Sequence, residues 1–157
     1  MSLRVVTCLV LPLLLGCGPD VAYEETVDLG PDGWAYADSV SFDFPVSDTA
    51  RAYDLVLSVT HGTDFPFQNF YVDLSTHLPD ATVLRQPLSL QLADTFGEWY
   101  GDCSGERCTT DIALQEGTHF TEVGPHRLVV TQFSRRDTLP EVSSLGFRIV
   151  AVPESGE

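Results

Sequence analysis

Residues 40–46 read Val-Ser-Phe-Asp-Phe-Pro-Val, and this stretch decides the fold. Every second side chain is apolar, while Ser41, Asp43 and Pro45 stand between the apolar ones. In a β-strand, successive side chains point to opposite faces, so a period of two separates the apolar residues from the others. The stretch therefore predicts a strand with one face in a core and the other face toward solvent.

The same alternation recurs along most of the chain after residue 20. Further strands are expected at residues 53–59, 70–75, 88–93, 126–133 and 145–151. Turn-forming Gly, Pro and Asp residues separate these segments, and no segment shows a sustained helical period. Such a pattern is typical of two packed antiparallel sheets. We therefore expect an all-β protein, an antiparallel and jelly-roll-like β-sandwich of about seven to nine strands.

The first 17 residues have the organisation of a bacterial lipoprotein signal. After a short positive start, residues 5–15 form an apolar core that is too short for a bilayer span of about 20 residues. Residues 14–17 (Leu-Leu-Gly-Cys) then resemble the lipobox, in which cleavage and acylation make the Cys a lipid anchor. We expect a signal peptide at residues 1–16 and lipidation of Cys17. The alternative is an ordinary secretory signal with a chance Cys.

The residue after Cys17 is Gly18 rather than Asp. By analogy with the enterobacterial sorting rule, this favours the periplasmic side of the outer membrane over the inner membrane. Residues 17–33 contain two pairs of chain breakers and predict a tether, within which Tyr23–Val27 is a possible edge strand. The β-sandwich domain is expected at residues 34–152 and a disordered tail at residues 153–157.

The chain is strongly acidic. Eight basic residues, all of them Arg, and 23 acidic residues give a net charge of 8 − 23 = −15. This balance argues against nucleic acid as a partner, because affinity for nucleic acid comes from cations that neutralise phosphates. It argues equally against a basic patch that binds anionic lipid. We therefore expect attachment to the membrane through the lipid on Cys17.

Cys103 and Cys108 lie five residues apart, at an expected loop tip. An exported domain folds in an oxidising compartment, so this pair predicts a small disulfide. A zinc site would need two further ligands, and the nearest His, His119, is far away along the chain. We predict a disulfide, no metal and no cofactor.

No group of residues has the spacing of a catalytic motif. The four His residues do not follow a zinc-protease pattern. Asp43, Asp54 and Asp73 are each flanked by apolar strand residues, which places them on the solvent face of a sheet rather than in a pair of general acid and base. We predict that the protein is not an enzyme.

Aromatic residues beside turns are the candidate binding residues. Phe67 and Asn69 lie in the dense segment 65–71 (Phe-Pro-Phe-Gln-Asn-Phe-Tyr), and Trp99 precedes Tyr100. Exposed rings at such positions stack on sugars or dock a partner protein. The alternative is that these rings fill the ends of the sandwich core.

From Tyr23 to Ile149 the chain resembles the GldH family of gliding-motility lipoproteins of Bacteroidota. Residues 64–71 are similar to the family's Tyr-Pro-Tyr-x-Asn-Leu-Tyr pattern, and residues 92–101 to its Leu-Ala-Asp…Gly-x-Trp-x-Gly block. Residues 132–149 carry the most specific match, to the pattern Gln-x-Met-Arg-x-Asp-x-Leu-x-Gly-Ile-x-x-x-Gly-x-Arg-Ile. The chain departs from that pattern at Ser134, where Met is usual, and at Glu141, where Gly is usual.

The resemblance implies a non-enzymatic, membrane-anchored component of the gliding machinery, which is interlocked with the type IX secretion system. It implies other proteins of that machinery as partners, and neither a cofactor nor catalytic residues. The alternative from another class is a lipoprotein carbohydrate-binding module. Exposure of Trp99 and Phe67 on a concave face would favour sugar, and their burial would favour a protein partner.

Arg135 and Arg136 are the only adjacent cations, and they lie in a long polar connection before the last strand. In a structural interpretation, Arg135 bridges loop carboxylates such as Asp137 while Leu139 plugs the end of the sandwich. In a functional interpretation, the loop presents a cationic spot to an acidic partner. We favour the structural interpretation, because the family pattern spans the loop and the strand together.

Overall fold

The computed structural model describes residues 18–153, which form eleven β-strands and no helix. The strands are β1 (Asp20–Asp28), β2 (Trp34–Ala35), β3 (Ser39–Val46), β4 (Tyr53–Gly62), β5 (Asn69–His77), β6 (Val83–Gln91), β7 (Asp102–Ser104), β8 (Arg107–Thr118), β9 (Gly124–Gln132), β10 (Thr138–Leu139) and β11 (Val142–Ala151). This part of the chain offers no helix that is long and apolar enough to cross a membrane. The expected signal peptide, the acylated Cys17 and residues 154–157 of the expected tail lie outside the described residues.

Nine of the strands form two sheets. One sheet has the order β1-β11-β4-β8-β7 and the other the order β3-β9-β5-β6, and β2 pairs with β10 in a separate two-stranded ribbon. Every pair of neighbouring strands is antiparallel. The predicted antiparallel β-sandwich is therefore confirmed.

Strand β3 shows how the sequence produces the sandwich. Its side chains alternate strictly between exposed and buried, so that Val40, Phe42, Phe44 and Val46 all enter the core. The rings of Phe42 and Phe44 meet Phe147 of β11 in the opposite sheet, with centroids 5.6 and 5.5 Å apart. The alternating stretch thus supplies one half of the contact that holds the two sheets together.

Strand β1 runs from one end of the sandwich to the other. At its start, Asp20 pairs with Ala151, which pairs with Tyr53. We call this the proximal end; its aromatic contacts run from Tyr53 through Phe120 to His126. We call the other end, where β1 finishes at Asp28, the distal end. Nine strand residues at about 3.3 Å each place the two ends about 30 Å apart.

The first strand lies inside the segment that the sequence analysis assigned to a tether. Strand β1 contains the expected edge strand Tyr23–Val27 and pairs with β11 from Asp20 to Asp28. The sheet therefore begins well before residue 34. Only Gly18 and Pro19 separate Cys17 from this sheet.

The four-stranded sheet has proline in both of its edge strands. Pro45 lies in β3 and Pro87 lies in β6. Proline cannot donate a backbone hydrogen bond, so it weakens the capacity of an edge strand to pair with another chain. The edge strand β1 of the other sheet carries exposed acidic residues, including Glu24 and Glu25, which discourage pairing by charge.

Candidate functional site

A buried cap closes the distal end of the sandwich. Trp34 in β2 is fully buried, and its indole Nε1 donates a hydrogen bond to the Asp38 carbonyl oxygen at 2.8 Å. Gln132 at the end of β9 donates from Nε2 to the Trp34 carbonyl oxygen at 3.0 Å. Leu139 in β10 pairs with Trp34 and is also fully buried. These contacts give the loops around the cap a rigid base.

A chain of ring contacts runs over this cap and joins three of the predicted binding residues. Trp99 lies 4.5 Å from His61, His61 lies 5.5 Å from Phe65, and Phe65 lies 5.5 Å from Phe67 (distances between ring centroids). The Arg136 guanidinium carbon lies 4.6 Å from the centre of the Phe67 ring, in a cation–π contact. The structure therefore brings Trp99, Phe67 and Arg136 to one end of the molecule.

Trp99 and Phe67 are each half-buried and pack against the hydrophobic core. Neither ring is fully exposed to solvent. Asn69, the fourth predicted residue, is half-buried as well, and its Nδ2 donates to Ser89 Oγ at 2.9 Å across the β5–β6 pair. The Asn69 side chain thus ties two strands together.

His61 is the buried polar residue at the centre of the ring contacts. It is fully buried, its Nδ1 donates to the Gly62 carbonyl oxygen at 2.9 Å, and its Nε2 has no hydrogen-bond partner among the described residues. Loss of solvation lowers the pKa of His61, and the hydrogen bond to Gly62 opposes that shift only in part. The ring is therefore neutral at pH 7 and serves as packing for Trp99.

The hairpin between β6 and β7 exposes an aromatic residue that the sequence analysis did not select. An isolated bridge between Ala93 and Trp99 closes the hairpin, and Asp94 Oδ1 accepts the backbone N–H groups of Phe96 and Glu98 at 2.8 and 2.9 Å. Phe96 at the tip is 90% exposed. The sequence feature that could have identified this exposed tip is Asp-Thr-Phe-Gly at residues 94–97, in which Asp94 caps a tight turn and Gly97 takes a positive φ of 86°.

The predicted disulfide between Cys103 and Cys108 is confirmed. It links the paired residues of the short β7–β8 hairpin, whose turn contains Gly105 with a φ of 62°. Cys108 is buried and pairs in register with His61 of β4. The disulfide therefore holds the hairpin beside the ring that supports Trp99.

The connection between β9 and β11 supports only the Leu139 half of the structural interpretation, in which Arg135 bridges loop carboxylates and Leu139 plugs the end of the sandwich. Leu139 plugs the distal end, as that interpretation expects. The expected bridge from Arg135 to Asp137 is wrong, because within residues 18–153 Arg135 makes no ion pair and is exposed. Arg135 is exposed and has a φ of 54°, in the left-handed region that non-glycine residues rarely adopt. Buried apolar and backbone contacts fix this loop, and they leave the guanidinium free.

The seven arginines of the described chain divide into two groups. Three form ion pairs with acidic residues: Arg51 with Asp20, Arg127 with Asp43, and Arg148 with Asp111 and Glu24. The other four form none within residues 18–153, and three of these four lie at the distal end: Arg107, Arg135 and Arg136. Free cations in this acidic protein thus gather at the end that also carries Phe96 and Tyr100, the latter 63% exposed.

Nothing in the described part of the chain resembles a metal centre, since it contains no group of three or more His, Cys, Asp or Glu side chains placed to hold an ion. The distal surface carries rings, guanidinium groups and hairpin tips on a rigid cap, together with exposed carboxylates such as Glu98, Glu106 and Asp137. Such a surface can bind by stacking, by cation–π contact and by charge.

A family model described as GldH lipoprotein matches residues 21–149. The chain belongs to the GldH lipoprotein family. It is 22% identical over 144 residues to the gliding motility lipoprotein GldH homolog of Christiangramia forsetii, covering 87% of this chain and 88% of the relative. It is 23% identical over 144 residues to the gliding motility lipoprotein GldH of Flavobacterium johnsoniae, covering 87% and 89%. The resemblance seen in the sequence is therefore confirmed.

Two solved structures that align with this GldH-family chain resemble it only distantly. A family GH115 4-O-methyl-alpha-glucuronidase aligns with 97% of this chain and 20% of its own length, at 12% identity and a TM-score of 0.41. The Desmodium yellow mottle tymovirus structure aligns with 98% of this chain and 99% of its own, at 13% identity and a TM-score of 0.32. Because both scores are below 0.5, neither structure informs the function.

Proposed function

We propose that this GldH-family lipoprotein is a non-catalytic binding subunit of the gliding machinery linked to type IX secretion. In this proposal the acyl chains on Cys17 hold it at the periplasmic side of the outer membrane. Its distal end docks on another protein of the machinery. The curated relatives, whose names carry gliding motility, support the assignment to that machinery.

One observation carries the choice of the distal end. Free guanidinium groups and exposed rings gather there, about 30 Å from the end at which the chain leaves Cys17. Aromatic residues and Arg are the residue types that contribute most binding energy in protein interfaces. Since the cap beneath them is packed and hydrogen-bonded, docking there costs little ordering entropy.

The burial of Trp99 and Phe67 favours a protein partner over a sugar. Both rings pack on the core and contact His61, Phe65 or Arg136, so each has less free surface for stacking on a pyranose ring than an exposed ring would have. The exposed ring of Phe96 at a hairpin tip is instead suited to enter an apolar pocket of another protein.

A carbohydrate-binding function has a different observation in its favour. Tyr71 and Phe133, each 52% exposed, flank a shallow depression on the outer face of the four-stranded sheet, together with Pro87 and Arg135. If this depression binds glycan, the Tyr71→Ala and Phe133→Ala variants will lose binding to cell-envelope polysaccharide in calorimetry. Under the protein-docking proposal neither substitution changes a heat signal.

Site-specific photo-crosslinking in cells tests the docking proposal. A photoreactive amino acid at Phe96 should give one discrete adduct that contains a protein of the gliding or secretion machinery. The same amino acid at Val123, which is 60% exposed and precedes β9 at the proximal end, is the matched control and should give none. Equal adducts from both positions would contradict docking through the distal end.

Charge variants separate a specific contact from general attraction. The double variant Arg135→Gln, Arg136→Gln should lose the Phe96 adduct, because it removes two of the free guanidinium groups beside the rings. Arg85→Gln removes the remaining free arginine, which lies in the edge strand β6, and should leave the adduct unchanged. Equal loss in both variants would point to non-specific electrostatic association.

A further inference from the structure

The proximal end differs from the distal end in being open between the sheets. A cavity of about 290 Å³ lies there, on the side where β6 of one sheet faces β8 of the other. Strand β6 pairs only with β5, and β8 beyond Thr109 pairs only with β4. No further strand of the described chain covers this side, so the cavity opens to solvent as a cleft.

The walls of the cleft are mostly hydrocarbon. Buried side chains from both sheets form its floor, and half-buried side chains form its sides. The principal ones are Phe44, Leu74 and Phe147 on the floor and Leu88, Leu114 and Phe120 on the sides. Its volume equals that of about ten water molecules in the liquid, and water gains few hydrogen bonds from such walls.

One buried polar group in the cleft has no partner; the exposed Arg85, which forms no ion pair among the described residues, also lines the cleft. His126 is 2% exposed and packs against the rings of Phe44 and Phe120, with centroids 5.6 and 5.4 Å away. Its Nδ1 donates to the Gly124 carbonyl oxygen at 3.1 Å, while its Nε2 is buried without a hydrogen-bond partner. Since a carbonyl oxygen can only accept, Nδ1 carries a hydrogen, and Nε2 of the neutral ring is an acceptor that lacks a donor.

We propose that the cleft binds a fatty acid from the membrane, with the alkyl chain between the sheets and the carboxyl group against His126 Nε2. The chain suits the leucine and phenylalanine walls. The protonated carboxyl group suits Nε2 because its O–H donates a hydrogen bond to this ring nitrogen, which accepts it, and no covalent bond changes. Of the residues that line the cavity, His126 alone carries a buried polar atom without a partner; because Nε2 has almost no accessible surface in this structure, binding also requires a neighbouring ring to shift.

The position of the cleft gives it access to lipid. Three residue steps from Cys17 to Asp20 span at most about 10 Å, so an anchor on Cys17 holds the proximal end close to the bilayer. Access of the cleft to membrane lipid relies on lipidation of Cys17 and is independent of docking by the distal end. The two proposals can therefore fail separately.

Photolabelling of the intact lipoprotein in phosphatidylcholine nanodiscs tests the proposal. A diazirine derivative of palmitic acid should label peptides from β6 and β8, and unlabelled palmitic acid should compete. Leu114→Trp narrows the cleft and should lower this labelling at least tenfold. Val123→Trp adds the same ring at an exposed proximal position outside the cleft and should leave labelling unchanged.

A second variant tests the role of His126. His126→Phe keeps an aromatic ring between Phe44 and Phe120 but removes Nε2. Wild-type protein should prefer palmitic acid over its methyl ester, which lacks the proton, by about fivefold at equal mole fraction in the disc. The His126→Phe variant should bind both equally while its near-ultraviolet circular dichroism stays native.

Three results would overturn the proposal. One is labelling spread over the whole surface, or labelling that Leu114→Trp leaves unchanged. Another is equal preference for acid and ester in the wild type. The third is labelling of β6 and β8 only after the ester-linked chains have been removed from Cys17, because the cleft would then belong to the protein's own anchor.

Discussion

The two ends of the sandwich are built in opposite ways. At the distal end the β2–β10 ribbon, with Trp34 and Leu139, closes the core. At the proximal end no strand of the described chain fills the gap between β6 and β8, and a cavity of about 290 Å³ opens there. The closed end presents fixed side chains on its surface, whereas the open end offers interior space. The two proposed binding sites therefore lie at different ends of the domain and share no residues.

The largest expected effect is the loss of the distal cap. Trp34→Ala removes a fully buried indole and its hydrogen bond to Asp38, and should lower the free energy of unfolding by about 3–5 kcal/mol. Phe120→Ala removes a half-buried ring beside the cleft and should cost less than about 2 kcal/mol. Urea denaturation of detergent-solubilised protein, followed by circular dichroism, compares them. Equal losses would remove the distinction between a packed end and an open one.

The disulfide should have the next largest effect. The Cys103→Ser, Cys108→Ala double variant should lower the free energy of unfolding by about 2 kcal/mol, because the unfolded chain gains the entropy of a short loop. Urea denaturation measures this loss. In the wild type, a peptide spanning both Cys residues should lack the mass of two hydrogens when no reductant is present. Freshly isolated protein with two alkylatable thiols would contradict the disulfide.

Backbone strain at single residues can be compared between the ends. Glu141 at the distal end and Ala81 in a proximal turn have positive φ angles of 64° and 69°. Glu141→Gly and Ala81→Gly should each raise the free energy of unfolding by about 0.5–1 kcal/mol, because glycine adopts this conformation without a Cβ clash. Residue 141 is also the position at which the family pattern has Gly. A loss of stability in Glu141→Gly would show that the side chain, which lies against Gly62, contributes more than the strain costs.

The smallest expected change in stability belongs to Arg135. Arg135→Asn removes the guanidinium but keeps a residue that tolerates the left-handed conformation, so stability should change by less than about 0.5 kcal/mol. The Phe96 photo-adduct should weaken in the same variant. A clear drop in melting temperature would instead restore the structural interpretation of this side chain.

How well a strand is covered by the rest of the molecule also affects whether the sequence predicts it. Strand β3 was recognised because it is covered along its whole length and alternates strictly between buried and exposed. Strand β8 was missed, and β6 was expected to begin at residue 88 rather than at Val83. Both strands border the open cleft, where Val83–Pro87 are exposed and Ile112 and Leu114 are only half-buried. The exposed part of β6 carries no alternation to detect, whereas β8 does alternate between exposed and covered positions and was missed because polar Thr110 lies on its covered face and apolar Ala113 on its exposed face.

Candidate binding residues were predictable where the residue type alone was informative. Phe67, Trp99 and Arg136 were selected as aromatic or cationic, and they do converge at one end. Their convergence through His61 and Phe65 could not be read from the sequence, because it depends on contacts between strands that are distant along the chain. The ribbon of β2 and β10 was likewise invisible, since two-residue strands have no period.

The prolines in the edge strands affect how neighbouring copies of the protein meet when they are crowded together. A lipid anchor confines copies of a protein to a plane, where neighbours meet side by side far more often than in free solution. Under such conditions an open sheet edge is a template for lateral fusion into fibrous arrays. Pro45 and Pro87 interrupt both edges of one sheet, and the acidic strand β1 repels its counterpart on the next copy. In copies held side by side by a lipid on Cys17, these three edges would resist lateral pairing, and β8 beyond Thr109 would be the edge left open.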